Sequence, residues 1–257
     1  MITAQKDQLL AGKGALVTGA SSGLGRAVGL ALAKAGTGVG LIARSEIELR
    51  QLVQEIEASG EKALALPLDL ASASEEDLAS AVKQTVERFG RIDLLVNCAG
   101  TDVPGKVAEL NLSDWDRVLA VNLRAPFVLA KAAFPYMQQA GRGTILNISS
   151  VAGKRGWANA SAYCASKFGL SGLTQALAAE GKPYGIRAGI IYPGGMATGW
   201  GDWTAEERRT KAEVEKTPAE ALPPERVAEL IVWIASSPGE MVLNEVIVTP
   251  LQEKGWP

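Results

Sequence analysis

Tyr163 and Lys167 stand four positions apart in a stretch, residues 160–179, whose pattern predicts a helix, so their side chains share one face. A tyrosine hydroxyl near pKa 10 is a poor acid or base at neutral pH. An ammonium beside it favours the phenolate and lowers that value. Ser150 lies just past the preceding predicted strand, residues 144–148, where its hydroxyl can meet the same space. Taken alone, a tyrosine–lysine pair on a helix is more often surface chemistry. The pair gains weight from an absence, because the 257 residues include no histidine. Ser-His-Asp hydrolysis, imidazole base catalysis and ordinary zinc-hydrolase sites are excluded. Acid–base work is left to Tyr, Lys, Asp, Glu or Cys.

A second site signal lies near the start. TGASSGLG, residues 18–25, joins a predicted strand, Gly14–Thr18, to a predicted helix, residues 23–36. Small residues at Gly19, Ser21, Ser22, Gly23 and Gly25, with Leu24, let a pyrophosphate approach the backbone N–H groups and the positive end of the helix dipole. The spacing differs from G-x-G-x-x-G, but the strand–turn–helix context is the required one. The next predicted strand, residues 39–43, selects the nucleotide. It ends in Ala43 where an NAD site carries an acid for the ribose hydroxyl, and Arg44 follows. A guanidinium fork suits a 2′-phosphate, so NADP(H) is the expected cofactor.

These residues need a scaffold that brings strand ends together. Further predicted helices cover 45–59, 75–89, 113–139 and 224–235, the third of these starting at a Ser113 cap with Asp116 as its box partner. Further predicted strands cover 63–66, 92–96, 186–191 and 242–248. Seven apolar strands alternating with six helices predict an α/β fold, one doubly wound Rossmann domain over residues 1–257 with a mostly parallel sheet covered on both faces. Residues 194–218 interrupt the alternation and read as a substrate lid. Apolar residues make 47% of the chain, and 26 Lys plus Arg face 28 Asp plus Glu, without a basic stripe, so nucleic acid is not an expected partner. No apolar run approaches membrane-spanning length. Cys98 and Cys164 lack metal-ligand spacing and cannot form a disulfide framework. The expectation is a cytoplasmic protein without a metal.

The ordered set TGASSGLG, Asp69-Leu70, NCAG at 97–100, Asn122, Ser149-Ser150, Tyr163-x-x-x-Lys167 and Pro193-Gly194 with Thr198 resembles the short-chain dehydrogenase/reductase family along essentially the whole chain. The resemblance implies that Tyr163 exchanges a proton with the substrate oxygen, which Ser150 holds. It implies that Lys167 binds the nicotinamide ribose and lowers the Tyr163 pKa, and that Asn122 orients a water linking Lys167 to solvent. Asp69 with Leu70 would contact the adenine, and Asn97, Ala99 and Gly100 the adenosine ribose region. Pro193, Gly194, Met196 and Thr198 would line the nicotinamide side. A homo-oligomer, tetramer or dimer, is also implied. Two departures stand out. Cys98 replaces the family's usual second asparagine, which puts a brace across the central sheet in doubt. No glycine-rich turn follows the last strand, which puts the C-terminal packing in doubt.

The expected activity is reversible reduction of a small ketone or aldehyde by NADPH. An alternative is 3-oxoacyl-thioester reduction on an acidic carrier protein, with Arg124, Lys131, Arg142 and Lys154 as candidate docking charges. Another is a non-catalytic NADP-binding sensor, against which the intact Ser150, Tyr163 and Lys167 speak. Trp157, Met196, Trp200 and Trp203 predict an apolar, aromatic substrate wall.

Overall fold

A computed structural model of the chain describes residues 9–198 and 221–253. Trp200, Trp203 and all of the expected lid beyond Thr198 lie outside the described residues.

The strands are β1 (Gly14–Thr18), β2 (Gly38–Ala43), β3 (Ala63–Pro67), β4 (Leu94–Asn97), β5 (Gly143–Ile148), β6 (Ile186–Pro193) and β7 (Glu245–Val248). The helices are α1 (Gly23–Lys34), α2 (Glu46–Ala58), α3 (Glu75–Phe89), α4 (Leu112–Leu119), α5 (Ala125–Ala140), α6 (Ser161–Gly181) and α7 (Pro224–Ser236). One seven-stranded sheet runs β3-β2-β1-β4-β5-β6-β7, and every neighbouring pair is parallel. Strands β1, β2, β4 and β5 are buried along their whole length, as expected for a sheet covered on both faces.

Helical spacing decides which side chains cover the sheet. On one face Leu24, Val28 and Leu32 of α1 pack with Leu49, Leu52 and Ile56 of α2 and Val227 and Ile231 of α7. On the other, Leu78 and Val82 of α3 pack with Leu129 and Ala133 of α5 and Leu177 of α6. Each fully buried leucine or isoleucine contributes roughly 1.5–3 kcal/mol. Helix α3 is bounded by its own sequence: Ser74 and Asp77 form a reciprocal capping box, and Gly90 ends it at φ 79°.

Local pattern misjudges one helix. The expected helix over 113–139 is two helices, α4 and α5, joined by a π-helical turn, Ala120–Arg124. Its cap is Asn111, not Ser113, and no side-chain cap bond forms there. The turn bulges because Asn122 is tied to the loop after β4: it accepts from Thr101 N–H at 2.8 Å and donates to Thr101 O at 2.8 Å. That tertiary contact leaves no mark on the helical period. Leu112–Ala140 together is long and apolar enough to cross a membrane by length and composition. Its apolar face, including Leu129 and Ala133, is committed to the sheet, as in a core helix.

Candidate active site

Strand order reverses at β1, with β2 and β3 on one side and β4 onward on the other. Ligands of such sheets bind in the crevice outside the carboxyl ends of the strands at this switch point. A cleft of about 660 Å³ opens there. Its floor is drawn together by the Thr18 hydroxyl, which accepts from both Cys98 N–H at 3.0 Å and Ala99 N–H at 2.9 Å.

The glycine turn fits an anionic ligand by its own geometry. Gly19 and Gly23 have φ of 71° and 51°, a region that favours glycine. A Cβ on Gly25 would come 2.2 Å from Gly19 O, so the turn closes only around glycine. Helix α1 has no acidic residue in its first turn, and its N-cap, Ser22, makes no side-chain cap bond. Its first N–H groups and its dipole therefore remain open to a pyrophosphate. Ser21 and Leu24 complete the rim of this turn in the cleft. Arg44 is exposed at the end of β2, lines the cleft and makes no ion pair among the described residues. Asp69 and Leu70 line the cleft after β3, where Asp69 Oδ1 accepts Ala71 N–H at 3.1 Å.

The residues expected to carry acid–base chemistry line the same cleft. Ser150 follows β5 in an extended conformation, and its Oγ accepts Ala152 N–H at 3.1 Å, capping the short turn Val151–Gly153. That bond occupies an acceptor site and leaves the hydroxyl proton to donate elsewhere. Tyr163 and Lys167 rise from one face of α6 into the same cleft. Lys167 is 3% exposed, donates to Ile148 O at 2.8 Å and stands 5.6 Å from the centroid of the Tyr163 ring. Burial brings its ammonium down to about 8. Cys98 lies beside it, and burial pushes that thiol up to about 12, with Lys167 pulling it back. The thiol is thus neutral while Lys167 titrates, so burial governs Lys167 and Cys98 is a poor nucleophile.

Other expected residues fall in different places. Ala99, Gly100, Pro193, Gly194, Met196 and Thr198 line the cleft. Thr198 faces the glycine turn, where a Cβ on Gly23 would meet it at 3.2 Å. Trp157 is 45% exposed on the cleft wall. Asn97 lies within β4, does not line the cleft, and turns its side chain into the sheet. Its Nδ2 donates to Asn147 Oδ1 at 2.8 Å, and Asn147 Nδ2 donates to Thr174 Oγ1 at 2.8 Å. This chain of bonds, made without the Cys98 side chain, ties β4 and β5 to the helix that carries Tyr163 and Lys167. Asn122 is fully buried and also donates to Ser166 Oγ at 3.0 Å. Both its N–H groups and one acceptor site of its carbonyl are used by protein groups, which leaves the second acceptor site of Oδ1.

The four candidate docking charges do not converge on the cleft. Arg124 donates to Ala73 O at 3.0 Å, Lys131 pairs with Glu75, and Lys154 pairs with Glu245. Arg142 stands beside Gly143 at the amino end of β5, the opposite end of the sheet from the cleft. Among the cleft residues that escaped the sequence reading, three polar ones come from separate parts of the chain. Arg117 comes from α4 and Asn159 precedes α6 at φ 61°, while Glu253 reaches in from the C-terminal turn. Asn159 holds a conformation that asparagine tolerates better than most residues. No periodicity marks a lone carboxylate in a tail.

Residues 13–209 match the family model described as short chain dehydrogenase. The short chain dehydrogenase/reductase astE of Aspergillus oryzae is 35% identical over 245 residues, covering 93% of each chain. Glycine betaine reductase ATRR of Emericella nidulans is 34% identical over 244 residues, which are 95% of this chain but only 19% of that larger protein. Among solved structures, a metagenomic short-chain oxidoreductase in complex with NADP superposes with a TM-score of 0.80 at 33% identity, covering 95% of this chain and 99% of the other.

Proposed function

The chain belongs to the short-chain dehydrogenase family, and from that premise we propose that it is an NADP(H)-dependent enzyme that reversibly reduces a ketone or aldehyde to the alcohol. The observation that carries this reading is the meeting of Ser150, Tyr163 and Lys167 in one cleft with the glycine turn. The chemistry that NADP(H) supplies when bound is hydride transfer at the nicotinamide. The turn from Gly19 to Gly25 and the open end of α1 would hold the pyrophosphate, and Arg44 the 2′-phosphate. Asp69 and Leu70 would face the adenine. Pro193, Gly194, Met196 and Thr198 would face the nicotinamide.

In reduction Tyr163 gives its phenolic proton to the substrate oxygen, and in oxidation it takes that proton back. Ser150 donates a hydrogen bond to the same oxygen. Lys167 binds the ribose and, while charged, stabilises the phenolate. A relay water at Asn122 would donate to the remaining acceptor site of its Oδ1 or to the main chain of the π-helical turn, where an i→i+5 bond displaces carbonyls from their usual partners. The working compartment is the cytoplasm, a reading supported by two unpaired cysteines, Cys98 and Cys164. Self-association is supported by exposed apolar side chains on α5 (Phe127), α6 (Phe168), α7 (Trp233) and the sheet edge (Ile247). Light scattering on the eluted protein reads its dimer or tetramer mass.

The test is a panel of ketones, aldehydes and 3-oxoacyl thioesters followed by loss of NADPH absorbance. Turnover of the ketones supports the reading. Turnover confined to carrier-protein thioesters would replace it with the acyl-reductase alternative, and cofactor binding without turnover of any substrate with a sensor.

A further inference from the structure

Glu253 stands past β7 in a turn where its N–H donates to Pro250 O at 3.1 Å. Its Oε2 accepts Gly195 N–H at 2.8 Å, and it lines the same cleft as Ser150, Tyr163 and Trp157. The sheet explains how a tail residue arrives there. Ile148 pairs with Ile191 and Pro193 with Val248, so the carboxyl ends of β5, β6 and β7 lie side by side. Neighbouring strands are about 4.8 Å apart. Beyond those three ends stand Ser150, Gly195 and Glu253 in turn. The contact is tight, since a Cβ on Gly194 would come 2.6 Å from the Glu253 carboxylate.

A carboxylate offers about four acceptor sites, and the Gly195 bond uses one. No cation pairs with Glu253 among the described residues. The other described acids of the cleft, Asp69 and Asp102, follow β3 and β4, while Glu253 alone follows β7. Its negative charge thus borders the cleft beside Gly194 and Gly195, on the nicotinamide side at which a substrate carbonyl must also sit.

We propose that Glu253 is a specificity-determining charge filter. It disfavours carbonyl substrates that carry a carboxylate and favours those that carry an ammonium group. This inference rests on the reading of the cleft as a ketone-reducing site.

The experiment uses three ketones on one skeleton: acetophenone, para-acetylbenzoate and para-acetylphenyltrimethylammonium. Their kcat/KM values with NADPH are measured for the unmodified enzyme, Glu253→Gln and Glu253→Asp. Glutamine keeps an acceptor for Gly195 N–H and removes only the charge. Taking the variant-to-unmodified ratio for each ketone cancels the electronic effect of the ring substituent. Relative to acetophenone, Glu253→Gln should raise the carboxylate ketone about tenfold and lower the ammonium ketone by a similar factor, the scale of one partly screened charge contact. Glu253→Asp should keep the unmodified order. Equal ratios for all three ketones would overturn the filter. Calorimetric binding of the two charged ketones to the enzyme–NADP complex reads the same preference without turnover. Charge-ordered binding with no turnover would sink the ketone-reductase reading and leave the filter standing. Charge-blind binding would sink the filter whatever the turnover.

Discussion

The Lys167 ammonium stands 5.6 Å from the centroid of the Tyr163 ring, and a bond to Ile148 O holds it there. A cation in that position acts on the phenol in one direction: it favours the phenolate. The helix supplies the spacing, and β5 supplies the carbonyl that fixes the lysine.

Tyr163→Phe keeps the ring and its packing but removes the proton. Single-turnover reduction should fall by about 10²–10⁴-fold or more, the usual contribution of a positioned acid. NADPH binding, followed by fluorescence, should stay within a few-fold. Near-normal chemistry in this variant would assign the proton to another group.

Lys167 links pH to stability with a definite sign. Its folded value, about 8, lies below the ordinary 10.5. Below about pH 8 both folded and unfolded chains carry the charge, and the fold bears the full cost of burying it, about 3 kcal/mol for a shift of that size. Between about 8 and 10.5 the unfolded chain binds the proton and the folded chain does not, so this residue makes stability rise with pH. Lys167→Met should therefore raise the urea midpoint at pH 7 and flatten this rise, while abolishing turnover. An unchanged pH slope in that variant would show that Lys167 is not the linked group.

The same titration bears on the cofactor. A ribose that hydrogen-bonds the ammonium binds best while the charge is present, so NADPH affinity should weaken as pH climbs through about 8. Lys167→Met should bind NADPH more weakly and without that inflection. Titration calorimetry at several pH values checks both outcomes.

Arg44 is exposed and without a carboxylate partner among the described residues, next to the buried Ala43. NADPH should be preferred over NADH by roughly ten- to a hundred-fold in kcat/KM, as a charge-assisted contact of about 1.5–3 kcal/mol implies. The double change Ala43→Asp with Arg44→Gln should reverse the order. Equal kcat/KM for the two cofactors in the unmodified enzyme would remove Arg44 from the site.

Two glycines make a paired test of the turn. Gly25→Ala forces a Cβ to within 2.2 Å of Gly19 O, which belongs to backbone and cannot swing aside. It should destabilise by about 1–3 kcal/mol and weaken NADPH binding sharply. Gly172→Ala sits in α6 with nothing within 4 Å of the new Cβ. It should stabilise by up to about 1 kcal/mol through helix propensity alone. Thermal unfolding and NADPH titration of both variants check the contrast.

Most of the scaffold, and the placing of Tyr163 and Lys167 on one helix, could be read from the chain alone. Hydrophobic period and glycine punctuation are local signals, and they located β1 and α3 at their observed limits, Gly14–Thr18 and Glu75–Phe89. Four-residue spacing on a helix placed Tyr163 and Lys167 on one face. Tertiary packing decided the rest. Asn122 bulges its helix because Thr101 holds it, and Asn97 braces the sheet because Asn147 lies across from it in β5. The depth of Lys167 and its low value are burial effects, set by everything packed around α6. Glu253 enters the cleft only because parallel pairing brings the end of β7 beside the ends of β5 and β6, from residues about a hundred positions apart. Periodicity registers neighbours along one element, whereas burial and cross-strand contact arise between elements, so only the folded chain could reveal them.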